Sequence, residues 1–280
     1  MATGTIARVT VGSAEHARWF GANPAKAWGE RFYLLYAPLW MTAIGVVQHT
    51  DTYRGWRDAG HLLFSLALFL PLWVLPLLVP SQADRGRPLA ARYIFKINVW
   101  IWIFAFIQSY FGTHYFYKVL GMRYGFPVTW KLNGVPFMLY LLAFVYFTTY
   151  QALINVVMRR WLSAWDRPNP VLTMLLLFAL SFAMAFGETF SMAQDFMKDY
   201  FQYADRAAML RYGSIFYGGL FAIMFPFVFR IDEREDTPMR VVVVEALAAN
   251  MLMLLWYDFW RLTLGPIVPG AGQGGGPPIV

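Results

Sequence analysis

Three acid–base side chains stand out by where the sequence puts them. Residues 171–186 carry no charge, and Glu188 follows in Gly187-Glu188-Thr189-Phe190-Ser191-Met192, where a lipid-spanning helix is still in or near hydrocarbon. An ionised carboxylate is strongly disfavoured in apolar surroundings, so such a residue is paired, kept protonated, or used. The functional reading of Glu188 is a deep proton donor; the structural one is a carboxyl group hydrogen-bonded to a neighbouring helix. Ser191 and Asp195 lie three and seven residues on and share its helical face. His114 follows an apolar run inside an aromatic segment. A neutral imidazole there can remove a proton or hold a carboxylic acid in place, and its rival reading is a satisfied structural histidine. Asp258 and Arg261 stand three apart. On a helix they pair, which makes a structural ion pair the leading reading and a second reactive carboxylate the other.

These groups must be carried by membrane-crossing helices. The chain has 280 residues, 59% hydrophobic and 19% aromatic, with 14% charged side chains. Soluble domains carry about a quarter charged residues. Apolar runs of about 20 residues match the hydrocarbon core of a bilayer, and they fall at residues 32–48, 62–79, 93–111, 135–158, 171–192, 212–229 and 241–260. The expected fold is therefore all-α, a polytopic helical membrane protein of about seven transmembrane helices with interfacial aromatic loops. Residues 1–31 read as a polar, interfacial segment, 32–269 as one transmembrane domain, and the Gly- and Pro-rich 270–280 as a disordered tail. The tail's GAGQGGG follows no strand and opens no helix, so it is no phosphate loop. Lys and Arg are more numerous on the amino-terminal side of the alternating loops, favouring a cytoplasmic amino terminus. The net charge of +7 is scattered through short loops, which fits topology and not nucleic-acid binding. The chain has no Cys, and its four His form no HExxH motif and no close pair, so no metal site is expected.

Two connecting segments, residues 112–134 and 193–211, mix aromatics with charges and read as interfacial caps over a cavity. Asp205 reads as an N-cap, Asp232-Glu233 as solvated loop charges, and Lys96 as snorkelling or paired. No Lys lies in the last run to form a retinal Schiff base. No internal repeat is visible, which counts against a secondary transporter.

Four blocks of the chain resemble the cycloeucalenol cycloisomerase family. The first is Asn23-Pro24, Lys26 and Trp28-Gly29-Glu30. The second runs from Tyr110-Phe111 through Thr113-His114-Tyr115-Phe116 and Lys118-Val119-Leu120-Gly121 to Trp130-Lys131, Asn133 and Val135-Pro136. The third joins Glu188-Thr189, Asp205-Arg206, Ala208-Met209, Arg211, Gly213, Phe229-Arg230 and Asp232-Glu233. The fourth is Asp258, Trp260-Arg261 and Leu264-Gly265-Pro266-Ile267-Val268-Pro269. The connector at residues 48–61 and the tail differ from the plant members.

The resemblance implies a membrane isomerase that opens the 9,19-cyclopropane ring of a sterol, as in cycloeucalenol to obtusifoliol. Its partners are then the sterol and the lipid bilayer, without a cofactor, since proton gain and loss involve no redox change. Protonation of the bridging methylene leaves a carbocation, which electron-rich rings stabilise by roughly 0.5–2 kcal/mol each. In that frame Glu188, His114 and Asp258 are the acid–base candidates. Tyr115, Phe116, Trp28, Glu30, Trp130, Asn133 and Asp195 are candidates for binding the sterol. A sterol- or lipid-binding or transport protein, or a sterol double-bond isomerase, needs much the same pocket.

Overall fold

Short polar signals set where the helices begin. The computed structural model describes residues 17–268, so the expected tail lies outside them, as do the first sixteen residues. Asn23 caps α1 (Pro24–His49), its side chain accepting the Ala25 amide at 2.9 Å, and Pro24 takes the first helical position. The same Asn-Pro pair opens α6 (Pro170–Met192), where Asn169 accepts the amides of Val171 and Leu172. Between them lie α2 (Asp58–Leu78), α3 (Tyr93–Ile107), α4 (Thr113–Leu120) and α5 (Phe137–Ser163). Asp205 caps the single turn α7 (Arg206–Ala208) through the Ala208 amide, in agreement with its sequence reading. Then follow α8 (Ser214–Arg230) and α9 (Met239–Thr263).

Six stretches among the described residues are long and apolar enough to cross a membrane: Asp58–Leu78, Tyr93–Leu120, Phe137–Ser163, Pro170–Met192, Arg206–Arg230 and Met239–Thr263. The other long helix, α1, is less hydropathic because its buried face carries rings with polar handles. Tyr33 donates to Asn98 at 2.7 Å, Tyr36 to the Leu68 carbonyl at 2.8 Å and the Trp40 indole to Thr149 at 2.9 Å. On α9, Val244, Leu247, Met251, Leu255, Phe259 and Leu262 form an exposed stripe, while Val242, Ala246, Ala249, Met253 and Tyr257 are buried. A helix apolar on both faces packs one against protein and leaves the other to lipid.

The central helix is α5, which packs on α1, α2, α3, α6 and α8. Helix α8 lies close along α6 because Gly218 has no side chain; a Cβ there would stand 3.3 Å from the backbone of Ser181 and Phe182. Two π-helical turns, Gln108–Gly112 and Met209–Gly213, interrupt the run from α3 to α4 and the start of α8. Such turns re-aim side chains and recur at functional sites.

One end of the bundle is roofed by the two aromatic connectors. Strand β1 (Met122–Tyr124) pairs antiparallel with β4 (Phe201–Tyr203), so the connectors are stitched to each other. Between those strands in sequence, β2 (Lys131–Leu132) and β3 (Val135–Pro136) form a hairpin turned by Asn133-Gly134, at φ 51° and 73°. Asn-Gly suits that two-residue turn because both positions need positive φ.

The opposite end buries ions. Arg159 grips Glu30 through two bonds of 2.7 and 2.8 Å and reaches Glu233 at 2.8 Å, while Lys26 meets Glu233 at 2.9 Å. Lys96 holds both oxygens of Asp232 at 2.9 Å. This corrects the reading of Asp232-Glu233 as solvated loop charges: Asp232 is 1% exposed. The loop after α8 tucks back under the bundle, and Lys26, Lys96 and Arg159 neutralise it there. Burial opposes ionisation of Glu233, but the Arg159 guanidinium and Lys26 ammonium outweigh it and hold its carboxyl below the usual value.

Candidate active site

Glu188 sits one turn before the end of α6, on the face that looks inward beneath the roof. Two cavities meet there, with about 830 and 790 Å³ of free space, their mouths included. Both are lined by Glu188, together with Leu139, Leu142 and Tyr146 of α5, Tyr124 of β1 and Phe201 of β4. The first extends toward Ile44, Val47 and Gln48 of α1, Trp56, and His61, Phe64 and Ser65 of α2. The second extends toward Gln108, Ser109, Phe116, Phe147, Leu220 and Tyr257.

The polar neighbours of Glu188 are phenols. Tyr217 of α8 donates to its Oε2 at 2.6 Å, and Tyr150 of α5 lies close to the same carboxyl group. Among the described residues no Lys or Arg lines either cavity. Burial drives the Tyr124 phenol well above its usual value. Burial, reinforced by the nearby Glu188 carboxyl, does the same to Tyr203. Both therefore remain neutral donors at ordinary pH. Part of the wall is a cluster of packed rings: the Phe116 ring meets Tyr217 at 5.1 Å, Phe216 at 5.8 Å and Tyr257 at 5.9 Å, each edge to face. A proton donor facing apolar space, flanked by neutral donors and π faces, is suited to protonating a hydrocarbon and tolerating the cation that results.

Of the residues singled out in the sequence, Glu188 and Phe116 come together at this chamber. His114 does not line it. Its Nε2 donates to the Asn133 carbonyl at 3.0 Å while the Asn133 amide donates to the Tyr110 carbonyl at 2.6 Å, so the pair clasps the hairpin to the helix. Asp258 accepts from Arg261 at 2.9 Å and from the Tyr115 hydroxyl at 3.4 Å, outside both cavities. The adjacent Tyr257 faces the chamber instead. Trp28 stacks on Phe32 and Glu30 lies in the ion cluster at the other end. Trp130 is 52% exposed on the roof, and Asp195 is exposed at the start of the short turn Asp195–Met197.

The phenols around Glu188 were not singled out. Their trace in the sequence is Tyr146 and Tyr150, four apart within an apolar run. That spacing puts two hydroxyls on one helix face, where each needs a partner in hydrocarbon.

Fold and site together define a polytopic helical membrane protein that encloses an aromatic chamber around one carboxyl group. Cycloeucalenol cycloisomerase of Arabidopsis thaliana is 39% identical to this chain over 265 residues, covering 92% of this chain and 93% of that protein. The chain belongs to the cycloeucalenol cycloisomerase family. No family model matches it, and no solved structure matches it.

Proposed function

We propose that the protein is a sterol isomerase that opens a 9,19-cyclopropane ring, and that Glu188 carries out both proton transfers. The carboxyl proton goes to the bridging methylene as its bond to the ring-fusion carbon breaks, and that electron pair forms the new C–H bond of a methyl group. Positive charge is left on the ring-fusion carbon. The C8–H bond then supplies its electron pair to the 8,9 double bond, and its proton returns to the Glu188 carboxylate. The sum is an isomerisation, with no electron acceptor and no net proton change.

The observation that carries this reading is the position of Glu188 where both cavities meet, hydrogen-bonded by the Tyr217 phenol, with no cation beside it among the described residues. His114 and Asp258, the expected partners for Glu188, are both committed elsewhere. The methylene and the C8 hydrogen flank one carbon, within reach of a single carboxyl group if they share a face. The flanking phenols steady the carboxylate while it waits for the second proton, and general acid–base catalysis of this kind contributes about 10²–10⁴-fold. Incubating membranes that contain the protein with cycloeucalenol, followed by gas chromatography and mass spectrometry, tests the reaction. The expected product has unchanged mass, a new methyl group and an 8,9 double bond. Recovery of unreacted, tightly bound sterol from folded protein would instead identify a binding or transport protein.

A further inference from the structure

Besides Glu188 and the tyrosines, polar side chains interrupt the chamber wall at two places: Gln48, His61 and Ser65 in the first cavity, and Gln108, Ser109 and Thr113 in the second. Ser65, Gln48 and Gln108 form hydrogen bonds within the protein. Ser65 donates to the His61 carbonyl at 2.8 Å, and the Gln48 amide is committed to the Met192 sulfur at 3.4 Å. Gln108 donates to Asn250 at 2.7 Å. Its unpartnered Oε1 lies 2.7 Å from where a Cβ on Gly112 would stand, so it is packed into the helix wall.

His61 is different. It is 5% exposed, lines the first cavity, and its Nε2 has no hydrogen-bond partner among the described residues. Trp56 and Phe126 meet the imidazole edge to face at 5.6 and 5.5 Å, and no conventional hydrogen bond joins either ring to it. A buried ring nitrogen left unpaired is costly, and a native structure that keeps one has a reason for it. The residue's depth points to that reason. His61 is in the first turn of α2, near the end of a stretch long and apolar enough to cross a membrane, and the end of a span is the level at which an amphipath with a single hydroxyl group holds that group while its rings lie in hydrocarbon.

We propose that His61 receives the 3-hydroxyl group of the sterol, which sets the ring system with its cyclopropane at Glu188 and its alkyl tail in the second cavity. This rests on the reading that the substrate is a cyclopropyl sterol. A neutral imidazole offers one donor and one acceptor, so it can bond the hydroxyl in either sense. His61 is on this account a positioning and specificity residue and takes no part in proton transfer.

The test compares a cyclopropyl sterol with its 3-methyl ether in wild type, His61→Phe, His61→Asn and Gln108→Leu, each reconstituted in lipid and checked for folding by thermal melting. Wild type should prefer the free alcohol by about tenfold in kcat/KM, equivalent to ~1.4 kcal/mol. His61→Phe should bring that ratio near one, chiefly through KM for the alcohol. His61→Asn, which keeps a hydrogen-bonding group, should restore part of the preference and serves as the readout if the Phe variant does not fold. Gln108→Leu should leave the ratio unchanged. An unaltered preference in both His61 variants, or its loss in Gln108→Leu alone, overturns the assignment and reverses the sterol in the chamber. If wild type converts neither sterol, the proposed reaction fails instead. The same alcohol-to-ether ratio is then read from equilibrium binding, where insensitivity to His61→Phe overturns the hydroxyl site independently.

Discussion

The two ends of the bundle bury acids in opposite ways. Where α1 begins, Glu30 is held by two bonds from Arg159, and Glu233 answers both Arg159 and Lys26. Beneath the roof, Glu188 has the Tyr217 phenol for a partner and apolar space in front of it. A carboxylate clamped by a guanidinium is committed to its charge and serves to hold helices together. An acid among neutral donors can lose a proton to a substrate and take one back. On the proposed mechanism, burial alone does not mark the reactive acid; the absence of a cation beside Glu188, among the described residues, does.

The contrast is open to direct attack. Glu188→Gln should lower turnover by about two to four orders of magnitude, with a thermal melting curve in detergent close to wild type. Arg159→Met should do the reverse. Leaving Glu30 and part of Glu233 uncompensated should destabilise the fold by about 3–5 kcal/mol, seen as a lowered melting temperature, with residual folded protein retaining its specific activity.

Glu233 adds a pH limb to that end. Its folded-state value lies below the ordinary 4.5, so its stabilisation is complete above about pH 4.5 and is lost as the pH falls through the folded value. Melting temperatures across that range should fall less steeply in Glu233→Gln than in wild type. Back at the chamber, Tyr217→Phe removes the 2.6 Å bond to Glu188 and should slow turnover by about tenfold, as loss of one hydrogen bond worth ~1.5 kcal/mol does. The smallest effect is expected at Asp258, whose pair with Arg261 is more than a third exposed on both sides. Asp258→Asn should change stability by less than ~1 kcal/mol and turnover by less than a factor of about two, since it lines neither cavity. A large loss of turnover there would restore it as the second proton carrier.

Much of the helical frame is legible in the sequence because hydrocarbon imposes one rule on every span. The runs at 171–192 and 241–260 correspond to Pro170–Met192 and Met239–Thr263. Glu188 is legible for the same reason, as a charge where lipid tolerates none. Its surroundings are not, because the phenols arrive from α5, α8 and the two roof strands, and only packing across helices brings them in. His114 shows the limit on a single turn. It stands two residues before Phe116, about 200° apart at 3.6 residues per turn, so Phe116 faces the chamber while His114 faces the hairpin. Asn133 read as a ligand for the sterol, whereas its Asn-Gly pairing with positive φ makes a turn. Asp232 and Glu233 looked solvated because nothing in one sequence shows that Lys96 and Arg159 wait beneath them.

The claim that Glu188 delivers the proton is tested most directly by a single turnover after equilibration in D2O. Wild-type protein incubated with cycloeucalenol should give a ring-opened product one mass unit heavier, with the deuterium in the newly formed methyl group. Folded Glu188→Gln should return the sterol unopened and unlabelled. A labelled, ring-opened product from Glu188→Gln at a rate near wild type would contradict the account and move the proton donor elsewhere in the chamber.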